Sequence, residues 1–362
     1  MTVSLCIIAY NEEKVITNLL TQVKAQAYPH NKTEIVLVDS NSGDNTKKYF
    51  LDFADENKNE YMSIKVLDNK KQSQASGWNT AIKNACGDII IRVDAHAEIP
   101  SDFIIKNAEL IKSGEYVCGG SRPNIVDEPT NFKNMLFLAE SSMFGSSIAG
   151  YRRKTEEKKY VNSVFHGAYR REVFEEVGGF NENLGRTEDN ELHYRIRQAG
   201  YKICQSNDII SYQHIRGTLG SMLKQKYGNG KWVGLTLGVC PKCLSIFHFV
   251  PFCFVAALII LIIFSIIGVI INMWNLSLPL IALILMYTMA DILMTVMAII
   301  PSEKHTVQLL LPLVFFLLHF SYGIGTVVGI ISLPFWKSHL DNSAEQEIEN
   351  VKKCVKENLY NK

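Results

Sequence analysis

The segment Gly87-Asp88-Ile89-Ile90-Ile91-Arg92-Val93-Asp94-Ala95-His96-Ala97-Glu98-Ile99-Pro100 holds a short apolar run that stops at a polar triplet, Asp94-Ala95-His96. A run rich in β-branched residues, opened by a glycine and closed by a proline, reads as a buried strand whose C-terminal end spills into a loop. Side chains two apart on an extended strand point the same way, so Asp94 and His96 can reach one ligand together. Carboxylate beside imidazole suits a divalent ion that itself carries a diphosphate; an ordinary polar loop is the alternative.

The pattern repeats upstream. Val3 to Ala9 is an apolar strand ending in Tyr10-Asn11-Glu12-Glu13, followed by apolar residues at helical spacing in KVITNLLTQV. Glu34 to Asp39 is again strand into polar loop, with a helix start at Asp44. A strand from Ile64 to Leu67 precedes a helix over 73–85, whose Ala75, Trp78, Ala81, Ile82 and Ala85 share one face. Strand and helix thus alternate up to Asp94, which predicts an α/β fold with a mostly parallel, doubly wound, Rossmann-like sheet and its ligands beyond the carboxyl ends of the strands. Asn11-Glu12, Asp39-Ser40 and Asp94-His96 should then meet at one edge. Asp39 is placed to accept hydrogen bonds from a base or ribose, or to cap the next turn.

No G-x-G-x-x-G follows the first strand and no G-x-x-x-x-G-K-[ST] occurs, so neither a nicotinamide cofactor nor a P-loop nucleotide site is supported. A diphosphate, if bound, would be held through a metal. The 37 basic residues balance 36 acidic ones, which argues against nucleic acid as a partner. The eight cysteines show no disulfide spacing, and Cys240-x-x-Cys243 lacks the second pair of a zinc site.

A second informative stretch runs from Asn162 to Ile203, where Glu188-Asp189 open a helix with Leu192, Ile196 and Ala199 on its buried face. Carboxylates in a first turn suit the helix dipole. They also suit proton transfer, with Asp189 as general base and Glu188 orienting the site. His214, just past a short strand, is a further metal-ligand candidate. Lys224, Lys226, Lys231 and Trp232 lie in LGSMLKQKYGNGKWVGLTLG, expected to be a helix along a membrane surface.

From about Ile246 the character changes. Ile246–Ile271, Ser277–Ile300 and Val307–Leu333 each reach the roughly 20 apolar residues that a bilayer crossing needs. No cleavable signal peptide opens the chain, so residues 1–245 are expected in the cytoplasm. Three crossings would leave the lysine-bearing tail outside, against the positive-inside tendency, unless one segment is re-entrant or Gly323-Ile324-Gly325 breaks the third. Asp291 and His319 should face protein or a watery cavity rather than lipid.

Taken in order, IIAYNEE, IVLVDSNSGDNT, GWNTAIKNACGDIIIRVDAHAEIP and HGAYRREVFEEVGGFNENLGRTEDNELHYRIRQAGYKI resemble the family 2 inverting glycosyltransferases, most of all the membrane-attached succinoglycan-type enzymes of exopolysaccharide and capsule synthesis. The likeness spans about residues 3–240. It implies a GT-A domain over 1–220, a membrane-interface segment over 221–245, a transmembrane region over 246–335 and a polar tail over 336–362. It also implies a UDP-sugar donor, a lipid-linked saccharide acceptor and Mn²⁺ or Mg²⁺ as cofactor. Ala9, Tyr10, Asn11, Glu12, Asp39 and Asp94 would line the nucleotide pocket. His96 stands where the usual D-x-D triplet has its last carboxylate, and would ligate the metal. Asp189 would be the base, and His166, Gly167 and Arg170 would lie near the acceptor or the leaving diphosphate, with Lys231 and Trp232 further candidates there. Processive synthases carry Q-x-x-R-W, whereas the stretch from Gln225 to Trp232 does not match it. That favours one sugar per visit over processive synthesis; a nucleotide-sugar-binding scaffold or transporter without turnover is the alternative of another class.

Overall fold

The computed structural model describes residues 1–145 and 158–360. In chain order the elements are β1 (Val3–Ala9), α1 (Ile16–Lys24), β2 (Thr33–Asp39), α2 (Thr46–Asn57), β3 (Ser63–Asp68), α3 (Gln74–Asn84), β4 (Ile89–Asp94), β5 (Ala97–Glu98), α4 (Phe103–Lys112), β6 (Val117–Ser121), β7 (Asn124–Ile125) and α5 (Asn131–Ser141). There follow β8 (Lys159–Val161), β9 (Ala168–Arg170), α6 (Arg171–Val177), α7 (Glu188–Gln198), β10 (Ile203–Ile210), β11 (Tyr212–His214), α8 (Leu219–Thr236), α9 (Val250–Ile270), α10 (Leu278–Ile299), α11 (Leu311–Lys337) and α12 (Ser343–Tyr360). The chain forms two units. One comprises 1–123, 150–214 and 340–362; the other comprises 124–149 and 215–339.

The first unit is an eight-stranded sheet in the order β3-β2-β1-β4-β9-β6-β10-β8. β3, β2, β1 and β4 run parallel, as the alternating pattern predicts. β9 then enters antiparallel between β4 and β6, and β8 is antiparallel to β10 at the edge. Period-two alternation divides each strand between two cores. On β1, Leu5 and Ile7 join Leu19, Phe50, Phe103 and Ile111 on one face, and Cys6 joins Trp78, Ile82, Phe174 and Phe180 on the other. A short ribbon pairs β5 with β11.

The polar tail expected over 336–362 does not stand apart. Its helix α12 is part of the first unit, with Val351 and Val355 fully buried in the cluster that holds Trp78 and Phe180.

The second unit contains the three helices long and apolar enough to cross a bilayer, within 246–270, 274–299 and 306–337. The expected break at Gly323-Ile324-Gly325 is absent, and α11 runs unbroken from Leu311 to Lys337. Its glycines instead permit close helix packing: a Cβ at Gly325 would lie 2.2 Å from the Tyr227 carbonyl oxygen of α8, and one at Gly230 of α8 would lie 2.0 Å from that of Tyr322. Asp291 is buried, and His319 bonds the Tyr287 hydroxyl at 2.9 Å and the Phe144 carbonyl, so both mid-segment polars face protein.

Candidate functional site

The carboxyl ends of β1 and β4, with the residue that follows β2, open into one cleft of about 170 Å³, lined among others by Ala9, Tyr10, Glu12, Ser40, Asp94 and His96. Its first wall is two loops laced together. Asn11 Oδ1 accepts from the Gly43 N–H at 2.8 Å, the Asn11 N–H donates to Ser42 Oγ at 3.0 Å, and the Glu12 N–H donates to Thr46 Oγ1 at 2.8 Å. Asn11 has φ 54°, a left-handed conformation that asparagine tolerates better than most residues. Asp39, buried at the end of β2, accepts from the Ser42 N–H at 3.1 Å through Oδ2, while its buried Oδ1 has no hydrogen-bond partner. One oxygen caps the turn and the other is an unused acceptor of the kind that a bound ligand satisfies.

At the end of β4 the Asp94 N–H donates to His166 Nε2 at 3.3 Å, which leaves the proton on His166 Nδ1, 2.8 Å from Ser211 Oγ. Burial lowers the His166 pKa, while the facing Asp94 carboxylate acts to raise it. Burial alone would raise the Asp94 carboxyl; the His166 ring, with its Nε2 at 3.7 Å, together with His96 and Arg92, outweighs it and holds Asp94 well below the usual carboxylate range. His96 lines the same cleft, with Nδ1 3.2 Å from Glu12 Oε1. The third expected ligand is brought beside the triplet: β5 and β11 pair antiparallel with Tyr212 opposite Glu98 and Gln213 opposite Ala97, which sets His214 opposite His96 at the next position, with His214 Nε2 3.0 Å from Glu98 Oε1. Among the described residues no group of three or more His, Cys, Asp or Glu side chains is gathered as an ion site.

Asp189 and Glu188 open α7, where the Glu188 carboxyl feels the Asp94 charge. Arg92, two residues before Asp94 on β4, places Nη1 2.6 Å from Asp189 Oδ1. Its guanidinium is sandwiched between Trp78, 4.2 Å to the ring centroid, and Phe180, 4.6 Å. Burial, then the Asp189 charge, push the Glu188 carboxyl up to about 8, so it is largely protonated at neutral pH. Its Oε2 is buried without a partner. A protonated carboxyl beside a second carboxyl held by an arginine is a recurring arrangement for acid–base work.

Of the remaining expected residues, His166 and Gly167 do reach the end of β4, Gly167 through its carbonyl, which accepts from the Arg92 N–H at 3.1 Å. Arg170 does not. β9 runs antiparallel, so Arg170 pairs with Ile89 at the start of β4, about 16 Å along the strand from Asp94. There it bonds the carbonyls of Glu115 at 2.9 Å and Ile111 at 2.8 Å and covers the Tyr116 ring. Lys231 and Trp232 belong to the second unit on α8, where Trp232 meets Trp336 edge to face at 6.0 Å.

Residue spacing missed Arg92 and His193. His193 is buried, bonded to the Tyr169 hydroxyl at 2.8 Å and Ser163 Oγ at 2.9 Å, and burial drives its pKa down to about 4. A charge inside a strand of isoleucines and valine was the available signal for Arg92, since a buried guanidinium requires a partner.

The Glycosyl transferase family 2 model matches residues 4–178, the part that carries the cleft through Asp94 and His166. Residues 4–178 thus carry a glycosyl transferase family 2 domain. The chain is 26% identical over 337 residues to the dolichyl N-acetyl-α-D-glucosaminyl phosphate 3-β-D-2,3-diacetamido-2,3-dideoxy-β-D-glucuronosyltransferase of Methanococcus voltae, covering 91% of this chain and 97% of that protein. It is 27% identical over 227 residues to the succinoglycan biosynthesis protein ExoA of Rhizobium meliloti, covering 61% of this chain and 66% of that one. A mannosyltransferase of Pyrobaculum calidifontis, solved with GDP-Man and Mn²⁺, superposes with a TM-score of 0.54 at 16% identity, over 92% of this chain and 87% of that one. It shows the shared GT-A fold.

Proposed function

We propose that this family 2 glycosyltransferase moves one sugar, with inversion, from a UDP-sugar to a hydroxyl of a lipid-linked saccharide during surface or capsular polysaccharide synthesis, with its catalytic unit on the cytoplasmic face. The observation that carries the reading is the single cleft lined by Glu12, Ser40, Asp94 and His96, with Asp189 paired to Arg92, two residues before Asp94. The Methanococcus voltae relative, named for a dolichyl-phosphate-linked acceptor, supports a lipid-linked acceptor, and ExoA supports polysaccharide synthesis.

The unpartnered Oδ1 of Asp39 would accept from the base or ribose of the donor. A carboxylate and an imidazole side by side fit a divalent ion, with remaining positions left to diphosphate and water: Asp94 and His96 would hold Mn²⁺ or Mg²⁺, which when bound would offset charge on the diphosphate. Asp189, paired with Arg92 through Oδ1, would take the proton of the acceptor hydroxyl as that hydroxyl attacks the anomeric carbon and the diphosphate leaves. A single displacement on the face away from the diphosphate inverts the configuration, so an α-linked donor yields a β product. Protonated Glu188 adds no second negative charge beside the base.

The test is release of UDP and of other nucleoside diphosphates from a panel of nucleotide sugars, using full-length protein in vesicles with native lipid extract as acceptor. Release that needs both a UDP-sugar and the lipid, with one sugar added per acceptor, is expected. A ladder of products would point to a processive synthase, and donor binding without release would point to a scaffold.

A further inference from the structure

The helix that follows the apolar segments is built into the same folded body as the strands that precede them. Arg171 Nη1 donates to the Val355 carbonyl at 3.3 Å, Lys83 Nζ pairs with Glu347 Oε1, Asn358 Nδ2 donates to the Lys83 carbonyl at 2.8 Å, and the Asn183 and Asp341 backbone and side-chain groups exchange bonds of 3.0 and 3.1 Å. Val351 and Val355 are fully buried. A bilayer cannot pass through this body, so the chain between His214 and Leu340 crosses it an even number of times. Three helices have the length and apolarity to cross, and an even count excludes one of them.

α9 and α10 have the character of lipid-facing helices. Only 11% of the apolar window is buried in each, α9 carries no charge and α10 carries only Asp291. At about 1.5 Å per residue each spans a hydrocarbon core of about 30 Å. α11 differs: 39% of its window is buried, much of it against α8 and α5. α8 is pressed backbone to backbone on α11 at Gly230 and Gly325, and it carries Lys224, Lys226 and Lys231. If α11 crossed, Lys224 and Lys231 would follow it toward hydrocarbon, at about 2.5–3.5 kcal/mol each near the centre, and Lys226, buried in its pair with Glu140 Oε2 at 3.0 Å, would carry that ion pair with it. The basic residues agree. Lys242, Lys304 and Lys337 are the only ones between Lys231 and Lys352, and the connection from Ile271 to Ser277 has none. A hairpin of α9 and α10 places all three on one face and the uncharged connection on the other, the asymmetry that sets topology in membranes.

We infer that α9 and α10 cross the bilayer as a two-helix hairpin, while α11 lies with α8 along the face that carries the catalytic unit, so the C-terminus returns to that face. This rests on the packing of α12 and not on the donor or acceptor. The experiment uses the full chain in sealed vesicles of known orientation, with an epitope tag after Lys362 and, separately, Asn275→Cys labelled with an impermeant maleimide and read by peptide mass spectrometry. The tag is expected on the same face as the N-terminus and Cys-directed labelling at 275 on the opposite one. A tag on the opposite face overturns the inference by showing an odd number of crossings, and should Asn275→Cys fail to fold, the tag alone still decides this. Labelling at position 275 from the N-terminal face overturns the hairpin.

Discussion

Arg92 Nη1 lies 2.6 Å from Asp189 Oδ1, joining β4 to the first turn of α7 across a gap of 97 residues. The guanidinium is fully enclosed, and the Asp189 charge, acting against burial, holds its pKa above the usual value. Arg92→Met should therefore leave Asp189 without its counter-charge. It should cost about 3 kcal/mol of stability or more and lower turnover on the order of 100-fold. Arg92→Lys keeps the charge but loses the planar cation between Trp78 and Phe180, and should fall between the two. Thermal melting and product release measured on the same preparations check both.

Asp189→Asn removes the base and keeps the shape. Loss of turnover by about 10²–10⁴ with donor affinity unchanged is expected, since general-base catalysis contributes on that scale. Equilibrium binding of the nucleotide sugar, run beside a turnover assay, separates the two quantities. Retained turnover would remove Asp189 from this role.

Glu188 carries a pH signature. Folded, it stays protonated up to about pH 8; unfolded, it ionises near 4.5. The native state binds the extra proton across that window, so the contribution of Glu188 is intact below about 4.5 and declines as pH rises through about 8, by at most roughly 1.4 kcal/mol per pH unit. Glu188→Gln should flatten the fall in melting temperature between these limits and melt higher than the parent protein at pH 8 and above. Parallel slopes in the two proteins would contradict the assignment.

Removal of divalent ions with a chelator should abolish turnover, and Mn²⁺ or Mg²⁺ should restore it. Asp94→Asn and His96→Ala should each raise the ion concentration needed for half-maximal rate by more than about tenfold. His214→Ala, opposite His96 on the ribbon, should raise that concentration as well, by a smaller factor.

The α/β alternation was legible because each early strand ends in polar residues and each helix that follows has an apolar face. β9 was not. At three residues, Ala168-Tyr169-Arg170 has no period to detect, and its antiparallel entry sends Arg170 to the far end of β4. The pairing that sets His214 opposite His96 was equally unreadable, because nothing local says that β11 lies against β5. The cleft residues were readable from strand tips, since a strand's last residue is fixed by its own run. The Arg92–Asp189 pair was not, because nothing local says which distant carboxylate a buried guanidinium meets. α12 was legible in principle: Ala344, Ile348, Val351 and Val355 recur at helical spacing beneath a polar composition.

The position of α12 in the chain has a biosynthetic consequence. Arg171, Lys83 and the core around Trp78 wait for partners that leave the ribosome only after every hydrophobic segment has been made. A nascent chain that stalls before residue 343 has a sugar-transferring lobe with one wall missing. Folding of that lobe is thereby coupled to synthesis of the apolar segments that precede α12.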